Sequence, residues 1–266
     1  MKASKIIEKL CEYGEGRDHS KSCDTCKAGS LDVEVRRIAV SMFATIGVVK
    51  AAKEWGAKLL IIHEPTYYSH MDVHTNDKIE CEKRKFIEDS GLALFRFHDH
   101  PHYSFPDLIC KGVVSSLDIS GEVEYVKDSF DLVRITLDSP MTPVEFTKAV
   151  EERLKIKHIR ICGNRDLPCR KISLMCGTPP AVFSELKSDE CEILMTGEAC
   201  EWMLGEYARD ASDLGHKKTL LIMGHIGSER AGMEYVAEIL SETFPEIETK
   251  YFECGEVCSY TDQSKA

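Results

Sequence analysis

The stretch Leu59-Leu60-Ile61-Ile62-His63-Glu64-Pro65 constrains this chain most. Four consecutive aliphatic residues after the turn-like Trp55-Gly56-Ala57-Lys58 read as a strand buried on both faces, as in a helix-covered parallel sheet. Proline cannot continue the ladder, so an imidazole and a carboxylate stand at the strand's carboxyl end, where open α/β sheets bind ligands. Alone, such a pair is as readily a hydrogen-bonded histidine beside a solvated glutamate. The layout recurs, however. Phe95-Arg96-Phe97 leads into His98-Asp99-His100-Pro101-His102, and Leu220-Leu221-Ile222-Met223 leads into Gly224-His225-Ile226-Gly227-Ser228-Glu229. On extended chain the three clustered histidines share one face; in a turn His98 and His102 converge instead. That density points to at least one metal ligand among them.

Apolar periodicity and capping residues predict helices over 4–13, over 47–55 closed by Gly56, over 76–90, and over 142–154 opened by Thr142-Pro143. In the third of these helices, Ile79, Phe86 and Ile87 form the expected buried stripe. Strands are expected over 37–43, 92–97, 125–137, 160–162 and 171–175, with a brief helix or turn at 183–187. Pro106 and Gly112 are expected to break the chain before 113–117. A last short strand runs through Tyr251-Phe252-Glu253-Cys254, and the polar tail from Ser259 reads as disordered. Residues 14–29 form a polar loop carrying Cys23-Asp24-Thr25-Cys26. With no second pair at finger spacing, these read as two free thiols rather than a zinc or redox motif. His70 and His74, in a loop beyond His63, read as solvated.

An internal echo joins the two halves. At an offset of 134, Arg36-Arg37-Ile38-Ala39-Val40 falls on Arg170-Lys171-Ile172-Ser173-Leu174, and Leu59 to Glu64 falls on Ile193-Leu194-Met195-Thr196-Gly197-Glu198. At 127, Phe97-His98 falls on Gly224-His225 and His102 on Glu229. Each half thus carries two strand ends with ligand chemistry, as a duplicated α/β unit would.

Charge and cysteine content narrow the function classes. A net charge of −11 without a Lys/Arg block disfavours nucleic acid and anionic membranes as partners. No apolar run approaches membrane-spanning length. The first ten residues lack the apolar core of a signal peptide, so the 12 cysteines read as reduced thiols in a cytoplasmic protein.

On the stretches Ile38 to Pro65, Arg96 to Asp107, Thr196 to Ala211 and Gly224 to Leu240, the chain resembles the NIF-three-like dinuclear-metal family, also called the type 2 GTP cyclohydrolase I family. The resemblance implies an α/β fold of two intertwined repeats with mixed sheets. Residues 1–125 would form the first repeat and 126–266 the second, with the C-terminal part packing on the first. It also implies a homohexameric ring and two divalent ions per chain, zinc, iron or manganese. Where the family has His-His-Pro, this chain has His63-Glu64-Pro65; where it has Asp four residues after a His, this chain has His102 after His98. The two departures offset each other, leaving the nitrogen and oxygen donor count unchanged. Carried over, Glu64, His102 and Glu229 would hold one ion, and His63, His225 and the bridging Glu229 the other. His98 or Asp99 would orient a ligand, and His100 is an alternative to His102. Since His225 and Glu229 are four apart, a helix opening at Ser228 would need a turn before it. Glu198 is the candidate proton shuttle; the bland alternative is a carboxylate at a helix N-terminus. The expected function is metal-dependent hydrolysis of a small, nucleotide-like substrate, although no GxxxxGK[ST] phosphate loop is present. The alternative is a non-catalytic metal-binding scaffold or partner-binding protein.

Overall fold

A computed structural model describes residues 1–14, 18–127, 129 and 131–261. Parts of the expected loop at 14–29, of the expected strand at 125–137 and of the polar tail fall outside them. In chain order the elements are α1 (Ala3–Leu10), β1 (Cys26–Ala28), β2 (Arg37–Ser41), α2 (Ile46–Trp55), β3 (Leu59–Ile62), α3 (Lys78–Ser90), β4 (Ala93–Arg96), α4 (Asp99–Tyr103), α5 (Leu108–Leu117), β5 (Gly121–Tyr125) and β6 (Leu132–Met141). There follow α6 (Pro143–Leu154), β7 (Arg160–Gly163), β8 (Cys169–Met175), α7 (Val182–Lys187), β9 (Ile193–Thr196), a π-helical turn (Glu201–Gly205), α8 (Glu206–Asp213), β10 (Thr219–Ile222), α9 (His225–Thr243) and β11 (Glu248–Tyr251).

Two mixed sheets result. One runs β1-β4-β3-β2-β11 and the other β5-β6-β8-β9-β10-β7. Each contains a parallel triplet, β2-β3-β4 or β8-β9-β10. The strand register preserves the echo. Ile38 pairs with Leu59 in one sheet and Ile172 with Ile193 in the other, the offset of 134 at both positions. Ala93 and Thr219 are equivalent in turn, an offset of 126 rather than 127. That places Asp99, opening α4, against His225, opening α9.

The unbroken apolar strands follow from two-sided burial. Leu59 and Ile61 face a central core shared by both sheets with α5, α6 and α9, while Leu60 and Ile62 face an outer core under α2. Leu194, Leu220 and Ile222 likewise pack outward with Leu204 and Ala208. Each such side chain contributes about 1.5–3 kcal/mol of transfer free energy when fully buried. The sheets exchange strands: β5 pairs into the second and β11, the last element, pairs beside β2 in the first. Among the described residues, no helix is long and apolar enough to cross a membrane.

Local signals placed most helices. Thr45 caps α2 by accepting from the Val48 amide, and Gly56 ends it at φ +87°. Thr142 and Glu145 form a reciprocal capping box ahead of α6. Several expectations change: the strand expected over 125–137 is divided between β5, which ends at Tyr125, and β6, which starts at Leu132, and the last strand is β11, Glu248–Tyr251, rather than 251–254. In α3 the buried arc is turned toward Glu80, Lys83 and Ile87, leaving Ile79 and Phe86 exposed, because Glu80 turns back to bond Thr75 and Lys83 lies over the Tyr68 ring. Gly112 does not interrupt the chain but lies within α5, where a Cβ would come within 2.6 Å of the Ala231 carbonyl oxygen on α9. Finally, α9 opens at His225 rather than Ser228, with Gly224 at φ +81° making the turn.

Candidate metal centre

The carboxyl ends of the two parallel triplets converge. The Met42 carbonyl accepts both the His63 and Glu64 amides, fixing the β3 terminus. His63 is fully buried. Its Nδ1–H donates to the Phe97 carbonyl at 3.0 Å, which leaves the Nε2 lone pair directed at His102 Nε2, 3.1 Å away. His102 is held from behind: its Nδ1–H donates to Asp107 Oδ2 at 2.8 Å, with Asp131 Oδ1 at 3.2 Å. His98 completes this side, stacked on His63 at 4.7 Å between ring centroids, its Nδ1 held by Asp99 at 2.9 Å. The donor atoms of His63, His98 and His102 lie within 4.8 Å of one another.

Glu64 faces the opposite half. His225 Nε2 lies 2.6 Å from Glu64 Oε1, and His225 Nδ1 lies 2.8 Å from Glu198 Oε1. Since α9 begins at His225, His225 and Glu229 stand one helical turn apart on the same face. Glu229 Oε2 is 3.3 Å from His225 Nε2 and 3.8 Å from His63 Nε2, so this carboxylate lies between the two groups. Glu229 is buried, and its Oε2 has no partner at hydrogen-bonding geometry. His63, Glu64 and Glu229 form a second set with donors within 4.8 Å. Gly177 gives Glu229 its space: at φ +62°, a Cβ there would stand 2.4 Å from Glu229 Oε1.

The electrostatics fit a cation. Burial keeps the His63 imidazole well below its ordinary pKa, hence neutral and a lone-pair donor. Burial also opposes charge on His102, but Asp131 and Asp107 outweigh it and raise its pKa well above the usual value. One positive charge between the two facing nitrogens, a proton or a metal ion, resolves their contact. On the other side, burial is outweighed at His225 by Glu229 and Glu64, pushing it up to about 11. Glu64 is held well below the carboxylate range, its burial overcome by the His225 hydrogen bond, while burial raises Glu229. Buried imidazoles and carboxylates, oriented from behind and converging without sulfur, are a donor set for a borderline divalent ion.

Six residues expected from the sequence are thus brought together: His63, Glu64, His98, His102, His225 and Glu229. Their closest contacts divide them differently from the sharing the resemblance implies, with His63 beside His102 and Glu64 beside His225. Asp99 orients His98, and Glu198 lies at the exposed edge on His225. His100 turns away, its Nδ1 on Asp24 at 2.6 Å and its ring stacked on His19. Sequence reasoning missed Asp107, Asp131, Asp24 and Arg96. Asp107 also caps α5 through the Cys110 amide, which is all a lone Asp after Pro106 would suggest. Arg96 is fully buried, with Nε donating to the His63 carbonyl at 2.9 Å and Nη2 3.8 Å from Glu64. An arginine closing an apolar strand gives no such signal.

Beside the centre lies a cavity of about 600 Å³, whose lining includes Phe43, Ile46, Pro65, Tyr68, Lys83 and Ile226. The Phe43 ring stands edge-on to His225. Another cavity, of about 510 Å³, flanks β7 away from these donors, and its Arg160 and Arg209 are ion-paired with Glu201 and Glu206.

Comparison with known proteins shows relatives of this fold. The Clostridium perfringens protein named GTP cyclohydrolase 1 type 2 homolog is 22% identical over 218 residues, 80% of this chain and 81% of its own length. The solved Bacillus cereus protein related to NIF3 superposes with a TM-score of 0.75 at 15% identity, covering 98% of this chain and 99% of that one. Reduced HcgD from Methanocaldococcus jannaschii gives 0.71 at 16% identity, covering 94% and 97%. These structures share the fold. The family model described as Duf34/NIF3 (NGG1p interacting factor 3) matches residues 2–256, nearly the whole length, and the chain belongs to that family.

Proposed function

We propose that this chain holds two divalent transition-metal ions, zinc, iron or manganese, and uses them to hydrolyse a small, ring-bearing, nucleotide-like molecule. The observation that carries the reading is the buried facing of His63 Nε2 and His102 Nε2 at 3.1 Å, beside a Glu229 oxygen that makes no hydrogen bond. His63, His98 and His102 would hold one ion, Glu64 and His225 the other, and Glu229 would serve both. Such a pair would supply an activated water nucleophile at neutral pH and polarise a substrate oxygen.

The chain's own residues do the rest. Asp107, Asp131 and Asp99 keep the Nδ1 protons of His102 and His98, so their Nε2 lone pairs face inward. Glu198 accepts a hydrogen bond from the His225 Nδ1–H and, at 57% side-chain exposure, also reaches solvent, a position suited to passing a proton to a leaving group. Phe43, Tyr68 and Pro65 offer flat apolar faces for a ring in the neighbouring cavity. The name of the Clostridium relative supports a nucleotide-like substrate.

A second reading, a non-catalytic metal-binding scaffold, is favoured by the origin of the donors in both halves of the chain. With either reading goes a homo-oligomer, a hexamer as the resemblance implies; Trp202 and Leu214, 77% and 76% exposed, provide apolar surface for it. Metal removal separates the two readings. For the enzyme, chelation abolishes turnover on a panel of nucleotides and cyclic amides while circular dichroism is retained, and Glu198→Ala reproduces the loss. For the scaffold, chelation dissolves the assembly and no substrate turns over. In both, His225→Ala removes about one equivalent of metal with secondary structure intact; unchanged metal content on elemental analysis defeats the assignment.

A further inference from the structure

We propose that Cys23, His70 and Asp99 form a separate site for one further divalent ion of borderline softness, such as zinc, beside the His/Glu centre. The three come from different segments: the loop before β1, the loop after β3 and the first residue of α4. Their donor atoms lie within 4.8 Å of one another.

The surroundings of Cys23 are those of a ligand rather than a core residue. Buried cysteines ordinarily pack as small hydrophobes, and Cys110, Cys169, Cys176 and Cys191 do so within the apolar clusters. Cys23, only 1% exposed, belongs to none of those clusters. Its amide donates to Asp99 Oδ2 at 3.1 Å, and its thiol lies 3.4 Å from Asp99 Oδ1 and 3.7 Å from Asp24 Oδ1. Asp24 is already satisfied by the amides of His98, Asp99 and His100 and by the His100 ring, so Asp99, whose Oδ1 also holds His98 Nδ1, is the carboxylate nearer the thiol. The third donor is held in place through its backbone. Arg96 Nη1 donates to the His70 carbonyl, and the Asp72 amide closes the turn on the Ser69 carbonyl at 2.8 Å. His70 is exposed, which gives an ion a route from solvent.

Thiolate, imidazole and carboxylate together carry two negative charges, matching a divalent ion, and bonds of ~2.0–2.3 Å to three such donors leave a fourth, tetrahedral position for water. On binding, the Cys23 thiol proton passes to solvent as the sulfur–metal bond forms, with no change of oxidation state. Cys26 takes no part: it is exposed, at the start of β1, with its thiol on the Ala28 carbonyl. The C-x-x-C pair is therefore split, one thiol to a site and one to the surface.

Cobalt(II) substitution tests this. The His/Glu centre contains no sulfur, so a thiolate-to-cobalt charge-transfer band in the near ultraviolet reports only the new site, whatever becomes of the central pair. The full-length chain and Cys26→Ser are expected to show the band. Cys23→Ser should lose it together with about one equivalent of metal, and His70→Ala, a change at an exposed residue, should weaken cobalt binding at least tenfold by titration. A wild-type protein without the band overturns the proposal. So does a band that survives Cys23→Ser or vanishes in Cys26→Ser, or unaltered cobalt affinity in His70→Ala. Loss of metal in His225→Ala with the band retained leaves this site standing apart from the central pair.

Discussion

His102 depends on two carboxylates that lie outside its own motif. Asp107 and Asp131 fix the protonated edge of the ring, so its other nitrogen meets His63. Asp107→Asn keeps the side-chain shape, and its Oδ1 can still accept the Cys110 amide that caps α5, but it removes the charge that orients the ring. The expected outcome is a ~10–100-fold loss of metal affinity in competition titrations, with the fold unchanged; undiminished affinity would count against Asp107 as the orienting group. At this scale most of the side chains that converge were legible. Imidazoles and carboxylates directly after apolar runs announce themselves by chemistry and position. Asp107, Asp131 and Arg96 did not, because an isolated acid reads as a cap or a solvated charge until its partner is known.

Helices and strands form wherever neighbouring residues suffice to specify them. Thr45, Gly56 and the Thr142/Glu145 box mark ends through bonds that span only a few residues. The buried stripe of α3 failed for the converse reason: which arc faces inward is chosen by Thr75 and Tyr68 in the preceding loop, not by the helix's own apolar spacing. The Gly112 misreading has the same origin. In isolation glycine weakens a helix by ~1 kcal/mol, but here it lets α5 and α9 approach, with Gly232 on the facing side meeting Ile109. Gly112→Ala should therefore destabilise rather than stabilise, by about 1–3 kcal/mol from overpacking against backbone. Urea denaturation would read this as a lower midpoint at unchanged slope, whereas a midpoint equal to or above wild type would refute the close-approach argument.

In the whole molecule, the proposed metal pair and the exchanged strands tie the same two halves together. The first sheet receives β11 from the end of the chain, and the second receives β5 from before the midpoint. The donor residues come from both sheets, so an ion that binds the folded chain alone stabilises the assembled whole. At a free concentration of one hundred times Kd this amounts to about 2.7 kcal/mol, enough to raise Tm by several degrees. Calorimetry of chelator-treated protein with and without added zinc, manganese or iron measures it, and an unmoved Tm argues against a cation joining the halves.

By itself the sequence determined the buried strands, the capped ends of α2, α3 and α6 and the residue types at the strand termini, because these follow from apolar spacing and capping bonds between close neighbours. Only the tertiary structure decided that Glu64 meets His225, 161 residues away, that His63 meets His102, and that Cys23 parts company with Cys26. Those contacts depend on how two sheets and α9 pack against one another, and that packing is settled by the shared core rather than by any local stretch of chain.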